Sequence, residues 1–246
     1  MTRIVVMNCN TSHAMTAAIG RQATTYARPG TRIEAWQPNW GPESAEGYYD
    51  SFITAAAVLD RLHGLPADVD AVVMAGFGEH GREGARELLG IPVVDITEAA
   101  AQFAMLLGPR YGVVTTLARA CAQIRDSLTV AGLEGRCVAI EAADVPVLDL
   151  DADPGAALDA MHTAGRRALD RGAEVLVLGC AGMAGMSEQL GAKLGVPVVD
   201  GIAAAVALAE DLVALSLTTS KIRTFADPRP KRRAGWPITL QGASDV

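Results

Sequence analysis

The chain has 246 residues, of which 50% are hydrophobic, 20% charged and 4% aromatic, with 25 glycines and 12 prolines. That composition excludes a disordered chain, a collagen-like repeat and a disulfide miniprotein, and the length supports a sizeable core without a metal or disulfide staple. A formal charge of −7 argues against a surface built for nucleic acid or for acidic membranes.

Short β-branched runs alternate with longer Ala/Leu-rich stretches. In chain order the pattern predicts strand 3–8, helix 12–27, strand 31–37, helix 44–63, strand 70–75, helix 81–89, strand 91–95 and helix 97–107. It continues with strand 111–115, helix 117–131, strand 137–141, helix 154–171, strand 174–179, helix 184–194, strand 196–199 and helix 202–215. Apolar runs bounded by turn residues and separated by helices are the mark of parallel sheets covered on both faces, so the expectation is an α/β fold.

The two halves echo each other. Ala71-Val72-Val73-Met74-Ala75-Gly76-Phe77-Gly78 returns as Val175-Leu176-Val177-Leu178-Gly179-Cys180-Ala181-Gly182, and Ile91-Pro92-Val93-Val94-Asp95 returns as Val196-Pro197-Val198-Val199-Asp200. Arg3 to Asn8 is echoed more faintly by Arg110 to Thr115. Two similar lobes facing each other would set corresponding strand ends opposite one another, with a ligand outside those carboxyl ends. Residues 76 and 180 are therefore expected to face each other across a cleft. The expected organisation is a first lobe over 1–105, joined by the segment 206–225, a second lobe over 106–205, and a tail over 226–246.

From Lys221 onward six basic and two acidic residues give the last 26 residues a net charge of +4, against −11 for the preceding 220. Arg229-Pro230-Lys231-Arg232-Arg233 reads either as a partner-binding arm or as a solvated terminal segment. The start of the chain has too short an apolar run for a signal peptide, and no charge-free apolar stretch reaches about 18 residues. The expectation is a cytoplasmic protein that contacts no membrane. Cys9, Cys121, Cys137 and Cys180 then read as reduced thiols, and their scattered spacing matches neither a zinc ribbon nor a redox pair.

Cys180 follows an apolar strand, with small residues on both sides that permit close approach of a ligand. A helix start nearby would supply N–H groups to an anion, so Cys180 is a candidate thiolate base or nucleophile; the alternative is a small buried hydrophobe. The loop Gly76-Phe77-Gly78-Glu79-His80-Gly81 offers Glu79 and His80 as proton donor or acceptor, or else a surface pair. Asn10, Thr11 and Ser12 after the first strand, and Thr115 and Thr116 at the corresponding place in the second half, are candidate substrate-binding groups, with N-capping as the other use of Thr11 and Ser12. Gly76, Phe77, Gly78, Ala181 and Gly182 complete the candidate binding surface. Cys121 and Cys137 read as structural. No nucleotide-binding glycine motif and no metal-ligand spacing is present, so neither a metal nor a cofactor is expected.

Taken together, Asn8-Cys9-Asn10-Thr11-Ser12, Gly41-Pro42-Glu43-Ser44, Gly76-Phe77-Gly78-Glu79, Val113-Val114-Thr115-Thr116, Gly179-Cys180-Ala181-Gly182-Met183 and Val198-Val199-Asp200-Gly201 resemble the aspartate/glutamate racemase superfamily, and within it the hydantoin racemase family, to which allantoin racemases also belong. The resemblance implies two pseudo-symmetric α/β lobes, a homo-oligomer, no cofactor, and acid/base chemistry at the carbon next to a carbonyl of a small substrate. It also implies two cysteines, one on each face of that carbon. Cys180 matches the second; Gly76 stands where the first is expected. Cys9 replaces a usual proline, as does His80. Three readings stay open. One is a racemase or epimerase of a 5-substituted hydantoin or similar ring, with Cys180 on one face and His80, Cys9 or a water on the other. The second is a one-sided proton-transfer enzyme using Cys180 alone, and the third a non-catalytic small-molecule binder. A cysteine introduced at position 76 is expected to raise racemisation if the symmetric geometry survives.

Overall fold

The computed structural model describes residues 1–150 and 153–238, so the end of the predicted tail, 239–246, lies outside the described residues. It contains two four-stranded parallel sheets. In the first, β1 (Thr2–Asn8), β2 (Thr31–Trp36), β3 (Ala71–Ala75) and β4 (Val93–Asp95) are ordered β2-β1-β3-β4. In the second, β5 (Tyr111–Thr115), β6 (Cys137–Ala142), β7 (Val175–Leu178) and β8 (Val198–Val199) are ordered β6-β5-β7-β8. The predicted α/β fold is present, and the sequence echo corresponds to equivalent strands: β3 with β7, β4 with β8, and β1 with β5.

Strand periodicity explains the layering, because alternate side chains leave a strand on opposite faces. Ile4, Val6 and Val73 point into a core shared with Val113, Val175 and Val177 of the other sheet, while Val5, Met7, Val72 and Met74 point away from it. That outer face is covered by α2 (Tyr48–Leu62) and α3 (Arg82–Leu88) through Val58, Leu62 and Ala85. Leu176 and Leu178 pack outward against α6 (Pro154–Asp170) and α7 (Ser187–Leu194) through Met161, Ala164 and Leu190. The shared central core also takes Met15, Ile19 and Ala23 of α1 (His13–Tyr26).

Two helices fill the space between the sheets, and each crosses over. α4 (Ile96–Leu107) follows the first sheet in sequence but lies against β5, β7 and β8 as well as β3 and β4; α8 (Gly201–Ala214) follows the second sheet and lies against β1, β3 and β4. Their alanine-rich faces, Ala99, Ala100 and Ala104 on α4 and Ala204, Ala205 and Ala209 on α8, are buried and let the helices approach closely. Both helices start in the same way: Asp95 Oδ1 accepts from the N–H groups of Thr97 (2.8 Å) and Glu98 (3.2 Å), and Asp200 Oδ1 from those of Ile202 (2.8 Å) and Ala203 (3.3 Å). These are side-chain caps on otherwise orphaned donors. Beyond α8 the chain returns to the first lobe, where Lys221 Nζ donates to the carbonyls of Arg86 (3.0 Å) and Glu87 (2.7 Å) at the end of α3.

Several predicted boundaries shift. The helix expected from residue 44 starts at Tyr48, because residues 38–47 form an irregular loop containing Gly41 at φ 116°. The helix expected over 117–131 divides into a single 3-10 turn, Ala118–Ala120, and α5 (Cys121–Val130). The helix expected from residue 184 starts at Ser187, and a 3-10 turn over Ala181–Met183 stands between it and Cys180. The last strand is only Val198–Val199. None of the described helices is long and apolar enough to cross a membrane.

Candidate active site

The carboxyl ends of β1, β3, β5 and β7 converge on one small cavity of about 40 Å³ between the lobes. Asn8, Cys9 and Asn10 come from the end of β1, Ala75, Gly76, Phe77 and His80 from that of β3, Thr115 and Thr116 from that of β5, and Gly179, Cys180 and Ala181 from that of β7. Gly76 and Cys180 thus line the same cavity from opposite lobes. Met15, Ala120 and Ile124 add apolar wall, and Gln123 adds an amide. Ala45 and Val147 add loop residues from both lobes, and these loops are joined by the Val147 N–H donating to Glu46 Oε1 at 3.3 Å.

Cys180 sits in extended backbone at φ −157°, with its carbonyl accepting the Met183 N–H at 3.0 Å to close the 3-10 turn. A short turn therefore stands where a helix start was expected, because α7 begins seven residues later. Thr115 Oγ1 donates to the Gly179 carbonyl at 3.1 Å and holds the strand end that carries Cys180. None of the four cysteines is disulfide-bonded; Cys121 and Cys137 lie outside the cavity lining.

Opposite Cys180 the packing is tight. A Cβ built on Gly76 would lie 2.5 Å from His80 Cδ2, 2.7 Å from Cys9 Cβ and 3.1 Å from Cys9 Sγ. Residue 76 is a glycine because two other side chains occupy the space that its own would take. A cysteine added at 76 would enter this volume only if His80 and Cys9 shifted. His80 is buried, its Nε2 lies 3.2 Å from the Phe77 carbonyl, and its Nδ1 has no hydrogen-bond partner among the described residues. Burial lowers its pKa to about 4, against a weaker opposing pull from the Phe77 carbonyl, so the ring is neutral and Nε2 carries the proton given to that carbonyl. The Cys9 thiol is pushed up to about 12, first by desolvation and then by the charge of Cys180. The two thiols share one electrostatic environment.

The remaining sequence candidates fall outside the cavity lining. Glu79 Oε1 accepts from the N–H groups of Gly81 (2.6 Å) and Arg82 (2.8 Å), so the carboxylate is turned to the start of α3 and away from His80. Ser12 Oγ accepts the Met15 N–H at 3.3 Å as the N-cap of α1, and Thr11 Oγ1 donates to the Pro42 carbonyl at 3.2 Å. Gly78, at φ 106°, is a left-handed turn position that favours glycine, and its N–H donates to Thr97 Oγ1 at 2.9 Å. Gly182 faces Cys180 from behind: a Cβ there would lie 3.6 Å from Sγ.

Sequence reasoning missed Gln123, Met15, Ala120, Ile124, Ala45 and Val147. Gln123 carried a readable signal, a polar residue in phase with the apolar Ile124 and Leu128 of α5, and it is buried with them. Its Nε2 donates to Ser51 Oγ (2.6 Å) and to the Glu79 carbonyl (3.2 Å), which ties the second lobe to the β3 loop. Ala45 and Val147 stand in irregular loops and carried none. Asn10 presents a weakly held donor in the wall: its Nδ2 donates to the Met15 thioether at 3.1 Å, a weak acceptor. Among the described residues no group of three or more His, Cys, Asp or Glu could hold a metal ion.

The Asp/Glu/Hydantoin racemase family model matches residues 4–209. The chain belongs to this family. Its enzyme class is accordingly that of the isomerases, the racemases among them. A solved structure of allantoin racemase from Pseudomonas fluorescens is 52% identical, with a TM-score of 0.92 and coverage of 94% of this chain and 99% of that one. Allantoin racemase from Klebsiella pneumoniae is 42% identical, with a TM-score of 0.92 and coverage of 98% and 99%. Hydantoin racemase from Rhizobium meliloti is 39% identical over 240 residues, covering 96% of this chain and 98% of the relative.

Proposed function

We propose that this chain racemises a small cyclic substrate with an acidic C–H beside a carbonyl, either allantoin or another 5-substituted hydantoin, with Cys180 exchanging the proton on one face. The observation that carries this reading is near-full-length similarity to allantoin and hydantoin racemases together with Cys180 in the interlobe cavity. Removing a carbon-bound proton needs a base on the reacting face and donors for the enolate oxygen. The Asn10 amide, the Thr116 hydroxyl and the Ala181 backbone border the same space and supply polar groups to it; Thr115 acts by holding the strand end of Cys180. At about 40 Å³ the cavity holds only a few waters, so a substituted ring requires the lining side chains to move apart.

Gly76 favours a second reading, one-sided proton transfer by Cys180 alone. Proton NMR in D₂O with single enantiomers of allantoin and 5-methylhydantoin, read together with optical rotation, separates the two. Racemisation predicts deuterium at C5 with loss of rotation; deuterium with retained rotation would establish the one-sided reading instead.

We propose further that the enzyme is a cytoplasmic homo-oligomer. Leu106 and Leu107 at the end of α4, and Leu215 and Leu217 just beyond α8, are exposed apolar side chains of the kind that such an assembly would cover.

A further inference from the structure

We infer that Cys9 is the second proton carrier, a thiol supplied by the strand next to the one that carries Gly76. The inference rests on the racemase reading above. β1 and β3 are adjacent and parallel, with Asn8 paired to Ala75, so residues 9 and 76 leave neighbouring strand ends at the same level. A side chain projecting from residue 76 would enter the volume that Cys9 Cβ and Sγ already occupy, at 2.7 and 3.1 Å. The thiol is therefore where a side chain of residue 76 would be, reached from one strand over. His80 closes the rest of that volume with Cδ2 at 2.5 Å.

Position is matched by protonation. Cys9 and Cys180 line one cavity, and negative charge on Cys180 adds to the desolvation that keeps the Cys9 proton on. The neutral His80 offers no cation to reverse this. With one charge between the two sulfurs, Cys180 is the base and Cys9 the acid. The Cys180 thiolate takes the proton from C5, forming S–H as C–H breaks, and the electron pair moves onto the carbonyl oxygen as enolate. The pair then returns to C5, which takes the Cys9 proton on the opposite face and leaves a Cys9 thiolate. No oxidant, reductant or co-reactant is consumed. Water then takes the Cys180 proton and returns one to Cys9, which resets both sulfurs, and the opposite enantiomer runs the same steps backward.

The test is Cys9→Ser, assayed with each enantiomer of 5-methylhydantoin in D₂O beside the parent chain. Loss of rotation should slow at least about 100-fold, the scale of a general acid–base contribution, while one enantiomer still gains deuterium with retained configuration through Cys180. Racemisation in Cys9→Ser within about threefold of the parent would overturn the assignment and leave the racemase reading standing. A parent that shows no loss of rotation would instead remove that reading, and the second carrier with it. A return swap guards against a merely structural effect. The triple variant Cys9→Gly, Gly76→Cys, His80→Ala clears the crowded volume and moves the thiol back to β3. It should racemise faster than the double variant Cys9→Gly, His80→Ala, and equal rates would count against a relocated thiol.

Discussion

The loops after β3 and β7 occupy equivalent places in two sheets of identical strand order, yet they are built differently. After β7 the chain turns at once through Ala181–Met183, and small residues surround the Cys180 side chain. After β3 the loop runs through Phe77, Gly78, Glu79 and His80, is held by Thr97 and Gln123, and fills the space above Gly76 with side chains from two elements. The backbone frame repeats and the chemistry does not. Pseudo-symmetry fixes where reacting groups can stand, while packing decides which residue supplies each of them.

Removing Cys180 is the most severe way to break this comparison. Cys180→Ala should slow C5–H exchange by about 10²- to 10⁴-fold with unchanged folding by circular dichroism, and near-parental exchange would move the chemistry elsewhere. On the other loop, Gly76→Ala should cost ~1–3 kcal/mol of stability by overpacking against His80 and Cys9, read as a lower urea midpoint. An unchanged midpoint would mean that His80 turns away freely.

Two buried groups on the first lobe give opposite pH slopes. His80 has a folded pKa near 4, below its ordinary 6.5, so the folded state binds fewer protons than the unfolded one between those values, and stability is lost as pH falls through that window. Asp95, buried at the start of α4, is raised to about 7 by desolvation despite the neighbouring Arg82. The folded state there binds the extra proton, and stability is lost as pH rises from about 4 toward 7. The parent should therefore show little slope between pH 4 and 6.5. Asp95→Asn should expose a rise in stability with pH, and His80→Gln a fall; denaturant midpoints at three pH values check both signs.

The smallest effect belongs to Glu79. Glu79→Ala removes the acceptor for two N–H groups at the start of α3 and should cost about 1 kcal/mol, with exchange at C5 within a few-fold of the parent. A 100-fold loss of exchange would return Glu79 to the chemistry.

Much of the fold was legible because the strands alternate between two buried faces and the helices between them are punctuated by caps such as Asp95 and Asp200. The echo between Gly76 and Cys180 also corresponds to two strand ends that line one cavity. Where Cys9 stands relative to residue 76 is not legible in the sequence, because it depends on the β1–β3 register, a long-range pairing that no local pattern encodes. The role of Glu79 was obscured for a related reason: an acid beside a histidine reads as a pair in sequence, whereas the turn at Gly81, φ 96°, directs it to backbone. Ala45 and Val147 lie in loops without periodicity, where sequence carries no directional information.

The crossing of α4 and α8 also makes each lobe part of the other. Each lobe's last helix lies against the opposite sheet, so the inner face of either sheet is closed in part by chain from the far half. Loosening either helix would open the core that the two sheets share.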